Sequence, residues 1–207
     1  MEKEITIMKK FAALLLAGVM AISCVACGNG GSANTEQETQ QVTITDANEI
    51  LTKVWDDYKA TAGDDLQFFI AGGNVESMIT DIPAKFDLSI EEAEAALVSG
   101  YCIPAEAIAM TDDIATMMHM MNGNNFSAAA YHIADVANVE TVVTNIKDTT
   151  LNNQWMCGFP EKLIVVTVGE DYVVSAFGNT QLIDAFKASI STVYGDAAVV
   201  SVEENLQ

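Results

Sequence analysis

Apolar residues recur at helical spacing from residue 50, where Ile50, Leu51, Val54, Trp55 and Tyr58 fall on one face. Asp46-Ala47-Asn48-Glu49 precedes them. A short side-chain acceptor followed three residues later by Glu satisfies orphan N–H groups at a helix start. The spacing predicts a helix over 47–60, ended by Gly63-Asp64-Asp65. Ser89-Ile90-Glu91-Glu92 repeats the capping pattern, and a second helix is expected over 90–98, stopping at Gly100. Between them, Ala71-Gly72-Gly73-Asn74 and Ile82-Pro83 read as loop punctuation. Residues 46–101 are expected to be a helical and loop segment that packs on the remainder.

From residue 102 the pattern becomes that of an α+β domain, 102–207. Phe126 to Ala134 suits a strand, and Asn138 caps a helix with Val139, Val142, Val143 and Ile146 on one face. Leu163 to Val168 is a continuous β-branched run, as expected for a buried strand. Gly169-Glu170-Asp171 turns the chain into a strand over 172–177. So short a link makes a hairpin, placing Val165 and Val173 on neighbouring antiparallel strands. After Gly178-Asn179-Thr180 comes a helix with Leu182, Ile183, Phe186, Ile190 and Val193 on one face, closed by Gly195. Ala198 to Val202 is the last strand. The order β-α-β-β-α-β predicts a ferredoxin-like antiparallel sheet with both helices on one face. Segment 104–121 is ambiguous: Ile108 to Met110 suits a strand and Asp112 to Met121 a helix, while a strand here would extend the sheet.

The N-terminus has a different pattern. Lys9 and Lys10 precede an apolar run from Phe11 to Val25, followed by Cys24-Val25-Ala26-Cys27-Gly28. The run is shorter than the roughly 20 residues a membrane span needs, and its small-residue exit suits a cleaved signal. A cysteine after small residues resembles a bacterial lipobox. Residues 1–26 are expected to be the signal peptide and Cys27 the diacylated residue, with Cys24 as the alternative. The acidic Met1-Glu2-Lys3-Glu4 makes Met8 a second candidate start. Residues 27–45, rich in Gly, Ser, Asn, Thr and Gln, read as a flexible tether. Two acyl chains suffice for stable attachment, so the domain is expected on the extracellular face of the cell membrane.

Charge narrows the partners. The chain of 207 residues has 29 Asp+Glu against 9 Lys+Arg, a formal net charge of −20, and no arginine. Such a surface repels the phosphates of nucleic acid and an anionic membrane face. Half the residues are hydrophobic, which argues against global disorder despite the charge.

Candidate chemistry is sparse. Met117-Met118-His119-Met120-Met121 offers soft ligands that suit Cu(I). Adjacent side chains diverge on a helix or a strand, however, so the string alone cannot surround an ion, and core packing by Met explains it. Gln154-Trp155-Met156-Cys157-Gly158-Phe159-Pro160 has one cysteine where a thioredoxin-like motif needs two. Cys102 and Cys157 could form one disulfide or remain free. His119 and His132 are the only histidines, and neither completes a nucleophilic triad. The acidic doublets, Asp112-Asp113 and Glu170-Asp171 among them, read as solvated charge, and no calcium-loop string is present.

Met120-Met121-Asn122, Ala130 to Asp135, Gln154 to Leu163 and Gly169 to Phe177 resemble a family of small lipoproteins of Gram-positive, mostly anaerobic bacteria. That family is a domain of unknown function, and some members are labelled bacteriocin transport accessory protein. The resemblance implies a Gram-positive cell-surface lipoprotein and supplies no catalytic residue. The expected function is therefore a non-enzymatic binding module for an envelope protein or peptide, with no cofactor and no metal. Its candidate interaction residues are Met118, His119, Met120, His132, Trp155 and Cys157. The alternatives are a solute- or metal-binding lipoprotein using the Met/His segment, or an enzyme of unrecognised type.

Overall fold

In the computed structural model, residues 43–62, 76–77, 89–119 and 122–206 are described. The first element is α1, Ala47–Ala62. Asp46 Oδ1 accepts the Glu49 N–H at 2.7 Å, as the capping pattern requires. The Glu49 carboxylate turns back one residue further than expected, accepting from the N–H of Thr45 at 2.8 Å. A short strand β1 follows, Glu76–Ser77. Helix α2, Ile90–Tyr101, has the full reciprocal Ser89/Glu92 capping box. It runs through Gly100 and stops instead at Cys102, in the left-handed region with φ 55°.

A single turn, α3 (Ala105–Ile108), leads into strand β2, Thr111–Met118. The expected placement of strand and helix is thus reversed in this segment. Met and Ala favour a helix weakly. Pairing with the next strand overrides that preference, because Ile114 to Met117 are buried on both faces of the sheet. The remaining elements are β3 (Phe126–Ile133), α4 (Val139–Leu151), β4 (Lys162–Val168), β5 (Tyr172–Gly178), α5 (Thr180–Tyr194) and β6 (Ala198–Asn205). These agree with the pattern reading to within a few residues, though Asn138 makes no side-chain cap bond.

The strands form one antiparallel sheet in the order β1-β2-β3-β5-β4-β6. Val165 opposes Ser175 and Thr167 opposes Val173, so Val165 and Val173 do sit on neighbouring antiparallel strands, both fully buried.

The ferredoxin-like arrangement is not what the chain adopts. There the last strand would lie beside β3, but β2 occupies that edge, and β6 pairs with β4 instead. The crossovers β3-α4-β4 and β5-α5-β6 then step in the same direction from strands of opposite sense. Right-handed connections must place their helices on opposite faces. The two cores agree: Ile164, Val166, Val174 and Ala176 pack with α1 and α5. Leu163, Val165, Val173 and Tyr131 pack with α4 and with Leu97 of α2. The result is an α+β architecture with helices on both sides of the sheet.

The signal segment with Cys27, the tether up to residue 42, the loop residues 71–74 and 82–83, and Met120 lie outside the described residues.

Candidate functional site

The sequence-nominated residues do not form one site. His132 stands at one end of the sheet, while Met118, His119, Trp155 and Cys157 gather at the other.

At the first end, His132 faces Asp113 across β2 and Tyr172 across β5. The register slips between Thr111 and Asp113, which makes Asp112 an extra residue in β2. Such a bulge re-aims a side chain, and here Asp112 Oδ1 meets His132 Nδ1. On the other side of the ring, Nε2 lies 3.2 Å from Asp171 Oδ2, in the β4–β5 turn. Partial burial pulls the imidazole pKa down, but Asp112 and Asp171 outweigh it and hold it above 6.5. The Tyr172 ring lies 4.8 Å from the imidazole. Burial first, then the charges of Asp171, Asp113, Asp46 and Asp112, push the Tyr172 hydroxyl up to about 12.

His132, Tyr172, Asp46, Asp113 and Asp171 line a cleft of about 720 Å³. Its walls are the chain entering α1 (Thr43 to Asp46), Asp113 and His132, the turn Gly169 to Tyr172, and Asp196, Ala197 and Val199 beside β6. Asp113 also accepts the Ala47 N–H at 2.7 Å, fixing the start of α1 against β2. Five carboxylates line the cleft, and no lysine does. The described lysines are engaged elsewhere: Lys53 with Glu49, Lys59 with Asp56, Lys147 with Glu204, Lys162 with Asp184 and Glu203, and Lys187 with Glu203. Asp113 of one acidic doublet and both members of the other, Glu170 and Asp171, expected to be plain solvated charge, therefore stand in the wall of a concave acidic site, while Asp112 lies outside the lining. Among the described residues, no group of three or more His, Cys, Asp or Glu side chains is arranged to hold a metal ion.

At the second end, Met117 is buried in the core and Met118 and His119 are half-buried. His119 Nδ1 accepts the Asn122 N–H at 3.2 Å. The 3₁₀ turn Gly123–Asn125 follows. Asn124 Nδ2 donates to the carbonyls of Met156 at 2.9 Å and Gly158 at 3.0 Å, and Asn122 Nδ2 to that of Cys157 at 3.3 Å. Trp155 anchors the same loop over Phe177, with ring centroids 5.0 Å apart. Met156 and Phe159 remain 79% and 68% exposed.

Cys102 and Cys157 are both free. Burial pushes the Cys102 thiol up to about 12, and Asn153 Nδ2 donates to its sulfur at 3.2 Å. Cys157 is exposed, with φ 60°. His132 is flanked by two carboxylates, Asp112 and Asp171, that favour its charged form.

Asp112, Asp113, Asp171, Asp46, Asp196 and Tyr172 went unrecognised in the sequence. Their signal lay in register: the β4–β5 hairpin sets Tyr172 against His132 once β3 pairs with β5. No family model matches the chain, and the comparisons with curated proteins and with solved structures returned no match.

Proposed function

We propose that this chain is a lipid-anchored, non-enzymatic binding module of the outer cell surface that takes a cationic ligand in the cleft around His132. The observation that carries this reading is the cleft itself, concave and lined by five carboxylates with no lysine. Concavity with convergent polar groups is the usual form of a binding site. A strongly acidic surface also steers cations toward it. The cysteine-containing signal pattern and the resemblance to Gram-positive lipoproteins support the address. His119, Trp155 and Cys157 lie at the far end of the sheet and have no part in this cleft.

Titration calorimetry with spermidine tests the binding role. The folded protein binds it, and the Asp171→Asn/Asp196→Asn variant binds it at least about tenfold more weakly, as expected on losing two charge contacts. Equal binding by both proteins overturns the reading. Mass spectrometry of the mature N-terminus tests the address: a diacylated Cys27 is expected, and modification at Cys24 or an unlipidated N-terminus contradicts it.

A further inference from the structure

We propose that an extended basic peptide adds as a strand to the outer edge of β6 and lays a lysine or arginine side chain into the adjoining cleft. The proposal rests on the reading of the cleft as a cation site and names its ligand class.

The edge comes first. Strand β6 ends the sheet, and among the described residues only β4 pairs with it. Val199 and Val200 are 56% and 42% exposed. An edge strand presents a row of unpaired N–H and C=O groups, which is the template for strand addition.

The edge and the cleft are continuous. Val199 belongs to β6 and also lines the cleft, as does Ala197 just before the strand. A chain laid along Ala198 to Val200 therefore runs onto the acidic wall formed by Glu170, Asp171 and Asp196. The register confines docking to this stretch. Val165 opposes Val202 and Val166 opposes Val200, so Ser201 bulges out of the ladder. Beyond it, Glu203 and Glu204 are tied to Lys162, Lys187 and Lys147. So short a ladder gives few main-chain hydrogen bonds, and a charge in the cleft must supply much of the affinity.

Charge selects the occupant. Residues 28–42 of this chain contain Glu36 and Glu38 and no lysine, so that segment cannot neutralise the cleft. A second copy brings the same net charge of −20. A bare metal ion finds no converging ligand set among the described residues. An extended segment with basic side chains satisfies both the edge and the cleft.

The test uses the ¹⁵N-labelled protein and three acetylated, amidated peptides. These are Lys-Val-Thr-Val-Lys, the same peptide N-methylated at alternate amides, and its neutral Gln-Val-Thr-Val-Gln counterpart. The lysine peptide is expected to shift the amides of Ala198 to Val200 together with Asp171 and Asp196. The N-methylated and neutral peptides are each expected to bind about tenfold or more weakly, since each loses two or more hydrogen bonds or charge contacts. If the N-methylated peptide binds as well as its parent, strand addition is wrong while the cationic cleft stands. If the neutral peptide binds equally well, the charge argument and this proposal both fail. If no peptide moves the cleft resonances and spermidine also fails to bind, the underlying reading falls with it. Shifts confined to Met156 and Phe159 place docking at the opposite end and overturn the proposal.

Discussion

Gly178 lies so close to Asn125 that a Cβ added to the glycine would come within 2.2 Å of the Asn125 carbonyl oxygen. The same carbonyl accepts the N–H of Asn179 at 2.8 Å, locking the end of β5 to the turn before β3. Gly178 has φ +155°, a conformation that L side chains rarely adopt. Because the obstacle is backbone, it cannot rotate aside. Gly178→Ala is expected to cost roughly 1–3 kcal/mol, the range for overpacking a tight site. Urea denaturation measures it, and a midpoint unchanged from wild type would contradict the close approach.

His132 makes stability depend on pH. Its folded pKa is raised above 6.5 because Asp112 and Asp171 outweigh its partial burial. A raised folded value means the folded state holds the proton more tightly than the unfolded chain. The stabilisation is full below about 6.5 and is lost as pH rises through the raised value. The difference in stability between wild type and His132→Gln should therefore shrink from about pH 5.5 to pH 9. Thermal melts across that window measure it, and a difference that grows with pH reverses the sign assigned here.

The two described cysteines should react very differently. The Cys102 thiol is buried and pushed up to about 12, whereas Cys157 is exposed. Only a thiolate attacks an alkylating reagent readily. In the native protein iodoacetamide should label Cys157 and spare Cys102, with both labelled in denaturant. Peptide mapping by mass spectrometry reads the sites, and native labelling of Cys102 at the same rate would rule out its burial.

Much of the element order was legible because local signals agreed with tertiary demands. Asp46, Ser89 and Asn179 each place a side-chain acceptor at a helix start, and each accepts a backbone N–H there. The hairpin at Gly169 follows from a left-handed turn residue, φ 65°, between two β-branched runs. The layer arrangement was misjudged although a clue was present. A sheet with helices on one face alternates apolar and polar residues, but Leu163 to Val166 and Tyr172 to Phe177 are continuously buried. Continuous runs signal a sheet covered on both faces. Local pattern left β2 open between helix and a strand extending the sheet, and its Met- and Ala-rich sequence is settled as a strand by pairing with β3. That strand fixes the strand order and so the layers. The cleft was illegible for a related reason. Asp46, Asp113, Asp171 and Asp196 come from four distant segments, and the bulge that aims Asp112 at His132 has no local sequence mark.

The two-faced burial of the sheet can be tested with a pair of neighbouring residues. Val165 packs in the layer with α4, and Val166 in the layer with α1 and α5. Both are at most 1% exposed. Threonine nearly matches valine in volume but brings a hydroxyl, and a buried hydroxyl without a partner costs about 1–3 kcal/mol. Under helices on one face only, one of the two positions would point to water, and its substitution would be close to neutral. With helices on both faces, Val165→Thr and Val166→Thr should each destabilise the fold by about 1–3 kcal/mol. Urea unfolding of the two single variants decides the point. A neutral result at either position would return the sheet to a single covered face.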